Sequence, residues 1–456
     1  MPTKPLNTSS PRLRVLAAVL TLCFSAGAAQ AQRLSELYEA ARNYDATLLS
    51  VRAQADSVPF LVEQARAANR PNVGLSAGAT LANSNTPYST TRSSHARTEQ
   101  AGLALQYSLF NRANDLTILR AERGLDTTQL LVLLAEQDLI VRLSQAYFDV
   151  LNAREVLATT QANKKAISEQ LASAKRNFEV GTATITDTRE AQAKYDQAVA
   201  QELAADNDLS VKRLFLDQIV GRTAIEPKGL AVPVVLPGPQ PSDDAAWLAF
   251  SANAPSVRKA QIDFDVASLD IDKAKAADLP TVGLSGNVGV NHSSINGSAA
   301  AAAAAVPFTS SGTGNSTGVG ISLNMPLYTG GFNDNKIKES VALRERARND
   351  LDAAKRKAAQ DTRSAFFGYN SGLAQVTALE AAESSAKLAL EAIQLGYKVG
   401  VRVNLDVLNA QTQVFQSQRD LAKARYDVIM ANLKLRLASG QLNPKDVTAI
   451  DALLAR

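Results

Sequence analysis

The side chains able to do catalytic or metal chemistry are few in this sequence, and their spacing suits neither. Histidine occurs twice, at His95 and His292, and neither has companions at metal-ligand spacing. The single cysteine is Cys23, close to the start of the chain. No glycine-rich phosphate loop and no nucleophile elbow is present. Carboxylates are plentiful but scattered at the spacings of solvated helix faces. Two of them are set apart by position: Asp187 and Asp406 follow Gly181 and Gly400 by the same distance, in the first turn of a predicted helix. A carboxylate there complements the positive end of the helix dipole. With 456 residues, 46% hydrophobic, 20% charged and only 5% aromatic, the chain is long enough to fold on a large scale but poorly equipped as an enzyme.

The first 31 residues are expected to be a secretory leader, 1–31. Arg12 and Arg14 precede an apolar run, and Ala29-Gln30-Ala31 supplies the small residues of a cleavage site. Cleavage after Ala31 removes Cys23, so the mature chain has no thiol for a disulfide or a thiolate metal site. The leader holds Lys4, Arg12 and Arg14 and no acid, so its loss takes the formal charge from +4 to +1. The basic balance therefore carries no nucleic-acid argument.

What must position the two aspartates is a duplicated unit. Pro71-Asn72-Val73-Gly74-Leu75-Ser76 returns as Pro280-Thr281-Val282-Gly283-Leu284-Ser285, and Phe178-Glu179-Val180-Gly181 returns as Tyr397-Lys398-Val399-Gly400. Gly221 corresponds likewise to Gly440. No proline interrupts the stretch from Pro87 to Pro227, or from Pro326 to Pro444, and strong helix formers dominate both. Each copy is thus read as a helix of about 65 residues, a glycine turn, and a returning helix of about 35. A helix of that length reaches on the order of 100 Å. It must find a neighbouring helix, and small alanine contacts allow close antiparallel approach.

Ahead of each long helix the period changes to two. Leu103, Leu105, Tyr107 and Leu109 alternate with small or polar residues, as do Val319, Ile321, Leu323 and Leu327, and the preceding segments from Val73 and Val282 behave alike. Each alternating segment is about ten residues, the length that crosses a bilayer as a tilted strand. Polar loops are expected at 82–98 and 291–316, with the alanine run Ala299 to Ala305 as loop filler and both histidines in these loops. Four such strands cannot close a barrel alone. A dimer would supply eight strands and a narrow filled barrel, a trimer twelve strands and a lumen, and the trimer is preferred.

The duplicated strand-strand-long-helix unit, the turns Phe178 to Thr182 and Tyr397 to Val401, the segment Leu405-Asp406-Val407-Leu408-Asn409, and Leu323-Asn324-Met325-Pro326-Leu327-Tyr328-Thr329-Gly330-Gly331 together resemble the TolC family of outer-membrane efflux and secretion channels. The resemblance spans about residues 33 to 445. It implies a mainly α fold with a membrane β part: a homotrimer whose twelve-stranded outer-membrane β-barrel continues as a twelve-helix periplasmic α-barrel. It divides the mature chain into N-terminal equatorial and tunnel helices (32–70), a first β-hairpin (71–111) and a first helical hairpin (112–221). A proline-rich equatorial linker (222–250) with Pro227, Pro233, Pro237, Pro239 and Pro241 follows. The second repeat then has a tunnel helix (251–279), a β-hairpin (280–329), a helical hairpin (330–440) and an equatorial tail (441–456).

The same resemblance assigns Thr186, Asp187, Tyr397 and Arg402 to a gate network at the periplasmic tip, and Asp406 with Asn409 to the constriction. Asn409 stands where the family has a second aspartate, so the constriction carries half the usual charge. Val180, Gly181, Thr182, Val399, Gly400 and Val401 become the docking tip for a periplasmic adaptor. The implied partners are that adaptor, an inner-membrane ABC, RND or MFS transporter and outer-membrane lipid, with no cofactor, no catalysis and no nucleic acid. A secreted coiled-coil assembly protein without a transport role is the alternative, against which the leader and the membrane-length hairpins argue.

Overall fold

The computed structural model describes residues 32–455 apart from 86–90, 232, 235, 237, 302 and 303, so the expected leader, Cys23 and Pro237 lie outside the described residues. In chain order the elements are α1 (Leu34–Arg42), α2 (Ala46–Ala67), β1 (Asn72–Asn85), β2 (Thr91–Phe110), α3 (Arg112–Glu179), α4 (Ile185–Val220) and α5 (Asp244–Ser251). They continue as α6 (Pro255–Ala276), β3 (Thr281–Ala301), β4 (Ala304–Asn324), α7 (Phe332–Lys398), α8 (Asn404–Ala438) and α9 (Pro444–Asp451). The long helices α3 and α7 run unbroken for 68 and 67 residues, and α4 and α8 return for 36 and 35. These lengths follow from stretches free of proline that end at glycine. The chain divides into two compact units, one of residues up to 49, 135–254 and from 358 onward, the other of 50–134 and 255–357.

In the first unit the core is an apolar cluster shared by α1, α3, α4, α8 and α9, with Leu34, Leu37, Leu143, Tyr147, Leu216 and Leu433 essentially shut off from solvent. Chain ends and linker are stitched by backbone bonds: Gln32 N donates to the Glu226 carbonyl (2.8 Å), Ala231 N to that of Leu453 (2.9 Å) and Ala455 N to that of Gly229 (2.8 Å). The Asp451 carboxylate accepts from Leu34 N (2.9 Å) and Ser35 N (3.3 Å). It thereby satisfies two of the donors that the N-terminus of α1 leaves open. Trp247 of α5 packs with Phe366, Tyr369 and Val428, which fixes the linker to α7 and α8.

The second unit holds one antiparallel four-stranded sheet in the order β1-β2-β3-β4. Register places Leu75 opposite Leu103, Leu103 opposite Val288, and Leu284 opposite both Tyr107 and Ile321. One sheet face therefore carries a continuous apolar band, and it is bare: Leu75, Val288, Val319 and Ile321 are 58% to 85% exposed. On the other face Ser76, Gly102, Gly289 and Ser316 follow one another across the strands.

The strands correct the expected loops. Residues 91–98, 291–301 and 304–316 are strand, His95 and His292 stand on β2 and β3, and the alanine run contributes to β3 and β4. Backbone pairing is indifferent to side-chain polarity. Once the apolar segments set the register, Ser, Thr, Asn and Gly continue the same ladder beyond the apolar band. His95 Nδ1 bonds Asn83 Oδ1 (2.6 Å) and His292 Nδ1 bonds Thr313 Oγ1 (3.0 Å), each to its directly paired neighbour.

The junction of α1 and α2 depends on one buried ion pair. Asp45, 7% exposed, accepts from both terminal nitrogens of Arg142 (3.1 Å each) and from Leu48 N (2.8 Å). Burial pushes this carboxyl upward, but the hydrogen bonds from Arg142 and Leu48 together with the guanidinium charge outweigh it, so the pKa is lowered. A depressed carboxylate contributes stability above its unfolded pKa near 4, lost as pH falls through the lower folded value. Asp45→Asn is expected to cost about 1–3 kcal/mol at neutral pH, read as a lower denaturant midpoint. The difference from the parent should shrink as the solution is acidified below about pH 4.

Candidate functional site: the turns of the helical hairpins

The α3–α4 and α7–α8 turns are built alike from the backbone outward. Gly181 and Gly400 take positive φ, +76° and +81°, a conformation that costs a side-chain-bearing residue about 1–2 kcal/mol. The chain then folds back on the helix end: Thr182 N donates to the Asn177 carbonyl (2.8 Å), and Val401 N to that of Gly396 (2.9 Å). This geometry pushes Val180, Val399 and Val401 into solvent at 72%, 66% and 75% exposure. Three bare valines on adjoining turns make an apolar tip with no function in the fold of a lone chain.

The returning helices differ in how they start. Thr184 caps α4 in a reciprocal box: its hydroxyl accepts from Asp187 N (3.2 Å), and the Asp187 carboxylate accepts from Thr184 N (2.9 Å) and Thr184 Oγ1 (2.8 Å). At the start of α8 the cap position is Val403, which has no polar side chain to offer. Asp406 instead lies 3.7 Å from Arg402, an exposed pair one helical turn apart. Such a pair is worth a fraction of a kcal/mol. The start of α8 is held instead by burial, with Asn404, Val407 and Leu408 nearly closed to solvent, whereas Ile185 in the first turn of α4 is half exposed.

Of the residues expected to form a gate, Arg402 meets Asp406, and Tyr397 accepts a long bond from Asn177 Nδ2 (3.5 Å). Thr186 is exposed, and Asp187 is engaged by its own cap; among the described residues no bond joins either to Tyr397 or Arg402. Asn409 is exposed on α8. Three contacts had not been foreseen. Gln170 bonds the buried Asn404. Leu408 packs with Ile167, Leu171 and Ala191. The Arg402 stem lies against Gly396, where a Cβ would come within 2.8 Å of it. The Thr184-x-x-Asp187 spacing was a readable capping signal, whereas the partners of Asn177 and Gln170 depend on how the two hairpins meet.

Replacing Thr184 by Ala should weaken the start of α4 by about 1 kcal/mol. Faster amide exchange confined to the first turn of α4 checks this, and the start of α8 should be unaffected.

Residues 37–222 and 249–441 match the family described as outer membrane efflux protein. The chain is 32% identical to the outer membrane protein TolC of Vibrio cholerae, over 96% of this chain and 97% of that one. It is 30% identical to the alkaline protease secretion protein AprF of Pseudomonas aeruginosa, over 69% of this chain and 64% of the relative. Among solved structures, the outer membrane protein VceC of Vibrio cholerae superposes with a TM-score of 0.74 at 19% identity, over 89% of this chain and 96% of that one. With the bare apolar sheet face and the paired long helical hairpins already described, these likenesses identify the chain as a member of the outer membrane efflux protein family, an exit duct of the Gram-negative outer membrane of the kind used in efflux or type I secretion.

Proposed function

We propose that three copies of this chain close a twelve-stranded barrel in the outer membrane, that their long helical hairpins form a twelve-helix periplasmic duct, and that the duct opens at the hairpin turns. The observation that carries this is the sheet itself. It presents a bare apolar face, and both edge strands, β1 and β4, have a partner on one side only. In hydrocarbon each unpaired backbone group costs several kcal/mol, so the edges must be joined by other copies. With up-and-down strand order, β4 of one copy meets β1 of the next in antiparallel fashion. Eight strands would make a barrel whose interior side chains must fill. The Gly, Ser and Asn of the second face are too small for that, which favours twelve.

The tip supports the rest of the reading. Arg402 and Asp406 form a weak, exposed pair that can be exchanged for bonds to a neighbouring helix. Thr186, Asp187 and Tyr397 are within a turn or two of the same end of the helices, and this is the set proposed to hold the closed state. The bare Val180, Val399 and Val401, presented by Gly181, Thr182 and Gly400, suit the helical hairpin of a periplasmic adaptor. An inner-membrane transporter of ABC, RND or MFS type would supply the energy, with the duct working as a passive conduit.

Three-fold symmetry would gather three Asp406 carboxylates into one ring with Asn409 beside it. Such a ring attracts cations and lets multivalent ones block. In planar-bilayer recordings of the full-length protein, Asp406→Ala should remove most block by a trivalent cation added from the periplasmic side. An unchanged block would refute the constriction assignment, and absence of conductance in the parent protein would refute the duct.

A further inference from the structure

The four strands distribute their charges in a way the barrel alone does not require. Among strand residues whose side chains are described, the ionisable ones are His95, Arg97, Glu99, Tyr107 and His292. Register places all five on the same face as the apolar band. Tyr107 pairs with Leu284, Arg97 with Leu81, and Glu99 with His292, two positions along from Val290, while His95 is two positions beyond Arg97. The opposite face carries no described ionisable side chain from one end of the sheet to the other. A channel wall would more commonly be polar through charges inside and apolar outside.

That uncharged face is also flat. In the β3–β4 hairpin it sets a glycine against a serine or an asparagine at successive pairs, as where Ser285 faces Gly320, Asn287 faces Gly318 and Gly289 faces Ser316. The glycine leaves room for its partner to lie down across the strand. A Cβ on Gly318 would come within 2.7 Å of Asn287 Oδ1, and one on Gly314 within 2.8 Å of Asn291 Oδ1. Polar groups therefore lie along the sheet instead of projecting from it. Amides and hydroxyls without charge bind water well and hold neither cations nor anions strongly.

We infer that the outer outlet of the duct is blind to charge: its lumen wall passes anionic and cationic cargo alike, and any discrimination by charge is made in the helical part. This rests on the barrel reading above, in which the apolar face meets lipid and the other face lines the lumen. It places the substrate class of the outlet as solutes or extended polypeptide of either sign. Selectivity by ionic side chains needs rings of them in the wall, and among the residues whose side chains are described this wall supplies none.

The mature chain is expected to have no cysteine once Cys23 is removed with the leader, so single cysteines can report the local field. Ser76→Cys and Ser322→Cys would be placed in the lumen face, Leu75→Cys and Val288→Cys in the apolar face, in the full-length protein reconstituted in lipid vesicles. Each would be reacted at low salt with a cationic and an anionic methanethiosulfonate of similar size. The ratio of the two rates at Ser76→Cys and Ser322→Cys should fall within about twofold of the ratio for a free thiol, since at low salt a wall charge would reach across the lumen. Adding Ser285→Asp to Ser76→Cys should shift that ratio about tenfold toward the cation, which shows that the assay senses a wall charge. A tenfold preference for either sign without the added aspartate would overturn the charge-blind outlet. Reaction of Leu75→Cys and Val288→Cys as fast as the lumen-face pair would instead overturn the barrel reading on which it stands. Should Ser322→Cys fail to assemble, Ser76→Cys on another strand decides alone.

Discussion

Backbone hydrogen bonding in a place without water is the constraint on which everything else in this chain depends. In the proposed barrel the sheet would offer lipid an apolar face of leucines, valines and isoleucines, yet within one chain it ends on both sides in strands paired only once. Burying that face in lipid recovers about 25 cal/mol for each Å² removed from water, and the open edges oppose the insertion unless further copies close them. Insertion and assembly are thereby one problem. The duplication addresses it economically, because each copy of the unit brings one hairpin and a matched pair of long helices.

The helices answer a second demand, that of length without a globular core. Burial in the first unit is greatest where α1, α9 and the linker gather around the hairpins, and a smaller cluster toward the turns mixes Ala174, Ala191 and Ala198 with Ile167, Leu171 and Leu408. Alanine lets helices approach closely but gives little apolar area per residue. Near the turns this smaller core is supplemented by caps and single polar bonds, which can be remade at modest cost. The two returning helices are anchored differently: α4 by the Thr184–Asp187 box, and α8, whose cap position is Val403, by the burial of Asn404, Val407 and Leu408.

Much of this was legible in the residues. Long intervals free of proline, glycines at the turns and the change of period from helical to two pointed to the helices, the turns and the apolar halves of the strands. The polar halves were not legible, because Ser, Asn, Thr and Gly look the same in a loop as in a ladder whose register is set elsewhere; His95 and His292 were misplaced for that reason. At the tip, Asp187 could be located by its spacing from the turn. Its partner Thr184 was missed although the capping pattern was present, and the bonds of Asn177 to Tyr397 and of Gln170 to Asn404 arise from packing between hairpins, which no local pattern encodes.

The central claim is that the open sheet is closed by two further copies of the same chain. The most direct test is the protein mass of the detergent-solubilised assembly, measured by light scattering with the detergent contribution separated from that of the protein. Three chains per particle is the predicted result. A particle of one or two chains that still conducts in a bilayer would contradict the account, because fewer than twelve strands of this composition could not close around a lumen.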